Sequence, residues 1–420
     1  MRNIHQGLRL GNKRRRDSVD VDFFRQSVGR VCFILDDQYP CLQVARTSTC
    51  PHAPSSVYFG APTLKDISIT ASDIEQPMLL RILEDLPVLC PELERVVIKH
   101  PTRRQNCTHI TYSPDIFPAC NQFFYDMLNG PSGSSTLRHL TTCITLTWDD
   151  VFLLAQMPRL ETLDATVCAP PEYPEPPLPE GAFQSLIHLK LELFELDDLM
   201  DRLLGGIDCP GLESLDVEVT ETPPKEPQIR RFFERVALGT FRDGLERLRF
   251  EVWWHILPDE WDECVPGISM SMRTLGPLLQ LPSLASLSLM VPRICLRYPD
   301  DFRELSLAWP QLRKISILQF SNAVSPADVD GLCAFAALSP NLKSIAFDVN
   351  GDFIPSPPYY SPEDMPLRSA SVRKVTCCVY RQLSQDEVLA YLKFIFPNAV
   401  VKPTLESDRR VRRWREWDDE

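Results

Sequence analysis

A spacing of apolar positions, Leu-x-x-Leu-x-Leu in its plainest form, returns along most of this 420-residue chain. It opens at Leu64, Ile67 and Ile69, then recurs at Leu93, Val96 and Ile98, at Leu137 and Leu140, and at Leu160 and Leu163. Leu186, Leu189 and Leu191 continue the series, followed by Leu212, Leu215 and Val217, by Leu245, Leu248 and Phe250, and by Leu284, Leu287 and Leu289. It closes at Leu312, Ile315 and Ile317, at Leu342, Ile345 and Phe347, and at Val372 and Val375. The starts are spread over 308 residues with intervals of 23 to 44, a mean of about 31, which suits an irregular repeat of leucine-rich type carrying insertions.

Apolar residues two apart predict a short strand with one buried face. The triplets tend to follow a proline at a fixed offset, as in Cys90-Pro91-Glu92-Leu93, Met157-Pro158-Arg159-Leu160, Leu281-Pro282-Ser283-Leu284, Trp309-Pro310-Gln311-Leu312 and Ser339-Pro340-Asn341-Leu342. Proline cannot continue a helix, so each marks a helix end before a strand. Helical periodicity lies upstream, over 78–86, 150–156, 196–204, 272–280, 302–308 and 329–338, and Ser325-Pro326 and Ser384 with Glu387 supply start signals. Pro-rich stretches over 169–179, 222–227 and 353–362 read as loops, because the repeat resumes after each.

A single strand of this kind cannot cover its own apolar face, whereas stacked copies share one core with their helices. The expected fold is therefore α/β, a leucine-rich-repeat solenoid with a parallel β-sheet on the concave side and helices on the convex side. Its expected organisation is an N-terminal segment over 1–57, the solenoid over 58–401 and a charged C-terminal tail over 402–420.

The Pro-x-Leu-x-x-Leu-x-Leu junctions, the irregular period and the closing Phe396-Pro397-Asn398-Ala399 resemble the leucine-rich-repeat F-box-type proteins of mushroom-forming fungi, over roughly 58–401. The resemblance implies a protein-interaction scaffold whose F-box docks on the Skp1 subunit of a cullin-type ubiquitin ligase while the repeats hold a substrate. Residues 1–57 lack that family's Leu-Pro opening and compact helical pattern, so they read as poorly ordered or as a degenerate F-box remnant.

Composition narrows the function. A net charge of −13 argues against a nucleic-acid backbone as partner, since phosphate binding needs a dense basic footprint. The basic runs Lys13-Arg14-Arg15-Arg16 and Arg409, Arg410, Arg412, Arg413, Arg415 sit near the termini and read as solvated tails, with nuclear localisation the rival for the first. No secretory leader or membrane span is legible, so the 14 cysteines are expected in a reducing, cytoplasmic or nuclear setting, with Cys90 and Cys209 as packing residues before Pro91 and Pro210.

No phosphate loop, zincin motif, nucleophile elbow or paired Cys-x-x-Cys is present, and Cys107 with His109 lacks a second ligand pair. Neither enzyme activity, nor a metal, nor a cofactor is expected. The acidic pair Asp149-Asp150 reads as a helix-start signal.

The candidate site is the concave face, because strand residues between the apolar positions point away from the core. It presents Arg95, Val97 and Lys99; Thr162 and Asp164; His188, Lys190 and Glu192; Ser214, Asp216 and Glu218; Arg247, Arg249 and Glu251; Ser286 and Ser288; Lys314 and Ser316. A protein partner is expected there, on Asp164, Lys190, Glu192, Asp216, Glu218, Arg247 and Arg249, with Trp253 and Trp254 of the following insertion as aromatic anchors or as a cover for the solenoid. A regulator of an enzyme such as a small GTPase is the alternative, and Arg247 and Arg249 are its candidate arginines.

Overall fold

The computed structural model describes residues 30–35, 65–71, 76–99, 116–130, 135–168, 176–252, 270–291, 294–296, 299–319, 335–349, 369–379 and 385–405. Among the described residues thirteen strands form one parallel sheet, hydrogen-bonded in chain order except where a two-residue strand is passed over. They are β1 (Arg30–Leu35), β2 (Asp66–Ala71), β3 (Arg95–Lys99), β4 (His139–Leu146), β5 (Thr162–Val167), β6 (His188–Leu193), β7 (Ser214–Val219) and β8 (Arg247–Val252), then β10 (Ser286–Val291), β12 (Lys314–Gln319), β13 (Ser344–Val349), β14 (Lys374–Val379) and β15 (Val400–Leu405). The short strands β9 (Met270–Ser271) and β11 (Ile294–Cys295) pair with each other.

Register explains why the sheet holds. The middle residue of each triplet falls on one line across the strands, from Ile67 through Val96, Leu140, Leu163, Leu189, Leu215, Leu248, Leu287, Ile315 and Ile345 to Val375. None is more than 2% exposed, so one continuous apolar seam replaces the separate cores that a chain of this length would otherwise need. Helices Gln76–Leu89, Ile116–Leu128, Trp148–Ala155, Asp198–Gly206, Glu226–Leu238, Pro299–Ala308 and Gln385–Ile395 lie between consecutive strands. Consecutive helices pack on one another, for example Gln76–Leu89 on Ile116–Leu128 and Asp198–Gly206 on Glu226–Leu238. Packed helices need about 8–10 Å each and adjacent strands only about 4.8 Å, so the stack curves with the sheet inside. The chain is thus an α/β leucine-rich-repeat solenoid.

Each proline has a local role beyond stopping a helix. The amide of the first triplet leucine bonds the carbonyl three residues back: Leu93 to Cys90, Leu160 to Met157, Leu284 to Leu281, Leu312 to Trp309 and Leu342 to Ser339, at 3.1 to 3.4 Å. Proline therefore occupies the second position of a β-turn, where its fixed φ is already correct. The residue before it is the plug, since Cys90, Met157, Cys209, Leu281 and Trp309 are at most 1% exposed. A polar side chain in the next turn often reaches the previous repeat, as Ser185 Oγ donates to the Pro158 carbonyl at 2.6 Å and Asn341 Nδ2 to that of Pro310 at 2.9 Å.

Several expectations need revision. The sheet continues beyond both ends of 58–401: β1 lies inside 1–57 and pairs with β2, and β15 runs on to Leu405. The stretch over 222–227 is not only a loop, because Glu226 and Pro227 open the helix Glu226–Leu238, with proline in its first turn where an amide is dispensable. Over 176–187 the repeat replaces its helix with a turn in which Gly181 takes φ 73° and Phe183 φ 61°, inserting Ala182 and Phe183 into the core. Asp150 does mark a helix start, but as a buried group: its Oδ2 accepts from the Thr147 amide and hydroxyl at 2.8 Å, and burial raises its pKa. Ser325, Pro326, Ser384, Cys107, His109 and the basic terminal runs lie outside the described residues.

Candidate concave-face site

Residues that face away from the core also fall into register, and they form three lines across β5 to β8. The first runs Thr162, His188, Ser214, Arg247; the second Asp164, Lys190, Asp216, Arg249; the third Thr166, Glu192, Glu218, Glu251. Seven of the expected site residues, Asp164, Lys190, Glu192, Asp216, Glu218, Arg247 and Arg249, are thereby brought together on one surface. Trp253 and Trp254 lie outside the described residues.

The second line alternates in sign and neutralises itself. Lys190 Nζ lies 3.4 Å from Asp164 Oδ2, and an Arg249 amino group lies 3.7 Å from Asp216 Oδ2. These pairs keep partial water access, which limits each to about 0–1 kcal/mol. In the first line, Arg247 donates to His188 Nδ1 at 3.4 Å, and burial followed by that guanidinium lowers the His188 pKa.

The third line carries three carboxylates of one sign on neighbouring strands. Like charges directly opposite across a sheet are destabilising. Burial first, then Glu192 and Glu251, push Glu218 up to about 7, with Lys190 opposing them. Glu251 is relieved by Arg249, whose Nε donates to it at 2.7 Å. The surface can therefore offer a cationic group of a partner a carboxyl that is charged or neutral according to pH.

Exposure follows the alternation over β3, β4, β6 and β7 and departs from it at the last outward position of β5 and of β8. Glu251, expected to face the open concavity, is 4% exposed, and Thr166 in the same line is 3% exposed. Further along, Ser316, Ser344, Ala346 and Thr376 are also buried. Strand periodicity fixes which face a side chain takes, whereas its exposure depends on what else lies over that face. Arg95 and Lys99 keep outward positions, and Arg95 Nε lies 3.4 Å from Asp66 Oδ1.

A line just before the strands escaped sequence reasoning because its residues, each directly after the first triplet position, precede the strand positions taken as outward-facing. The carbonyls of Lys65, Glu94, Arg138, Glu161, Ile187, Glu213, Glu246, Ala285, Arg313, Lys343 and Arg373 accept in turn from the next repeat. Its N-terminal part is ion-paired, Lys65 with Glu94 at 2.6 Å and Arg138 with Glu161 at 2.8 Å. The constant offset from each triplet was the signal that could have found it.

Among the described residues there is no group of three or more metal-ligating side chains, and no helix is long and apolar enough to cross a membrane. Cys120, Cys209 and Cys377 are free thiols. No family model matches the chain, and no curated protein matches it. Among solved structures it is similar to a chain of the TLR13-ssRNA13 complex, at 12% sequence identity and a TM-score of 0.27, over 82% of this chain and 54% of that one. The protein thus spans about half the length of that solved chain.

Proposed function

We propose that the chain is a protein-interaction scaffold that holds a cationic segment of a protein partner on the sheet face over β6 to β8. The observation that supports this reading is the third line, where Glu192, Glu218 and Glu251 stand in register on neighbouring strands and the charges of Glu192 and Glu251 help raise the Glu218 pKa. An arriving lysine or arginine relieves a repulsion that the free protein carries, so binding and charge relief reinforce each other. The test is a binding titration with a lysine-rich peptide against the unaltered chain and a Glu192→Gln, Glu218→Gln variant. Affinity should fall at least about tenfold in the variant, as expected when charge complementarity is removed. Equal affinities would sink the proposal.

The finer reading, a substrate receptor of a cullin-type ubiquitin ligase, rests on the repeat resemblance alone. A Skp1-docking element within 1–57 would have to share that segment with β1, which pairs with β2 in the sheet. Co-purification of the full chain with Skp1 decides it: recovery supports the ligase role, and failure leaves the scaffold.

Regulation of a small GTPase is less well supported. A finger-like arginine must be free to reach a phosphate, and Arg249 is tied to Glu251 and Asp216 while Arg247 contacts His188.

A further inference from the structure

The pre-strand line that is ion-paired at its N-terminal part changes character at its other end. Arg313, Lys343 and Arg373 follow one another there on consecutive repeats, the Lys343 amide bonding the Arg313 carbonyl at 2.8 Å and the Arg373 amide that of Lys343 at 2.7 Å. All three side chains are exposed. Lys314 and Lys374 stand beside them as the first residues of β12 and β14. Adjacent strands lie about 4.8 Å apart, so five cations gather on a stripe roughly 10 Å long. Among the described residues, Arg313, Lys314, Lys343 and Arg373 make no ion pair, although Lys65 and Arg138 on the same line each do.

Between the two lysines lies Ser344, paired to Lys314 on one side and to Lys374 on the other and therefore on the same face as both. It is 6% exposed, and its Oγ has no hydrogen-bond partner among the described residues. A buried hydroxyl without a partner is destabilising, because it has lost water and gained nothing in exchange. Repulsion between like charges on adjacent strands adds to that cost. One ligand would relieve both at once, an anion that accepts from the Ser344 hydroxyl and sits among the cations.

We propose that this end of the sheet is a second docking surface, distinct from the acidic lines over β6 to β8, and that it takes a short acidic peptide segment of a protein partner. Two neighbours favour a peptide over a nucleic acid. Val400, 62% exposed, adjoins Lys374 across β14 and β15 and offers apolar contact beside the cations. On the other flank the line passes through uncharged Ala285 to Glu246 and Glu213, both exposed carboxylates that would repel a continuing phosphate backbone. A run of acidic residues next to a leucine matches the length, charge and apolar edge of the stripe.

The probe is a fluorescein-labelled peptide of four glutamates followed by a leucine, titrated by anisotropy against the full chain at physiological salt. Lys343→Glu should weaken binding at least about tenfold, because it places a like charge against the ligand. Arg273→Glu changes net charge equally on a helix away from the stripe and should leave binding unchanged. Ser344→Ala should weaken binding several-fold while melting stays the same or rises, since the orphan hydroxyl is gone. Equal losses in Lys343→Glu and Arg273→Glu would show nonspecific charge attraction and overturn the site, as would no peptide binding at all. Single-stranded RNA of equal charge bound more tightly than the peptide, and lost in Lys343→Glu, would overturn the peptide assignment in favour of nucleic acid.

Discussion

Glu218 stands in register with Glu251 across the β7 and β8 pair, with Glu192 completing the line on the other side. The folded state therefore prefers Glu218 neutral, at a pKa of about 7 against an ordinary 4.5. A raised acid pKa contributes stability that is fully present below the ordinary value and is lost as pH rises through the folded one. Melting temperature should fall between pH 5 and pH 8, and Glu218→Gln should flatten that fall. Parallel melting curves for the two proteins across this range would reject the assignment.

Leu215 tests the shared seam on the opposite face of β7. It is fully buried and in register with Leu189 and Leu248. Leu215→Ala should cost about 2–5 kcal/mol in denaturant unfolding. Lys190→Ala, on the outward face and more than a third exposed, should stay within about 1 kcal/mol. Similar losses for both would mean that the two faces of the strand are misassigned.

The start of helix Trp148–Ala155 gives a local test. Thr147 and Asp150 form a reciprocal capping box there. Thr147→Ala should lower stability by about 0.5–2 kcal/mol, and Thr147→Ser should recover most of it. If serine fails to rescue, the lost methyl packing and not the cap is responsible.

Buried thiols supply a chemical readout of the repeat core. Burial pushes Cys209 and Cys377 up to about 12, so little thiolate is available at neutral pH. Both should resist a thiol-labelling reagent in the native protein and react once it is unfolded in denaturant. Rapid native labelling, located by peptide mass spectrometry at either residue, would contradict their placement.

The triplets made the solenoid legible because the same offset repeats at Leu189, Leu215 and Leu248 despite unequal spacing between them. The helix Glu226–Leu238 was hidden by Pro223, Pro224 and Pro227, which read as a loop until Pro227 is seen inside a first helical turn. Register brought Glu192, Glu218 and Glu251 together, and register depends on how strands align across repeats, which no single triplet encodes. The burial of Glu251 and Ser344 was invisible for a related reason: alternation describes one strand, and exposure is a property of the assembled surface. The stripe from Arg313 to Arg373 lay one residue before the strands, where the search for outward positions began too late.

The carbonyl line from Lys65 to Arg373 requires each new repeat to deliver an amide to the same place, whatever route the chain takes between them. Twenty-three residues suffice for one interval and forty-four are absorbed by another, yet both advance the sheet by one strand spacing, about 4.8 Å. The molecule therefore behaves as a ruler whose graduations are independent of the length of chain between marks. Insertions on the helical side can change size and sequence without moving any side chain on the measuring edge, which leaves the two charged surfaces a fixed distance apart while the rest of the protein drifts.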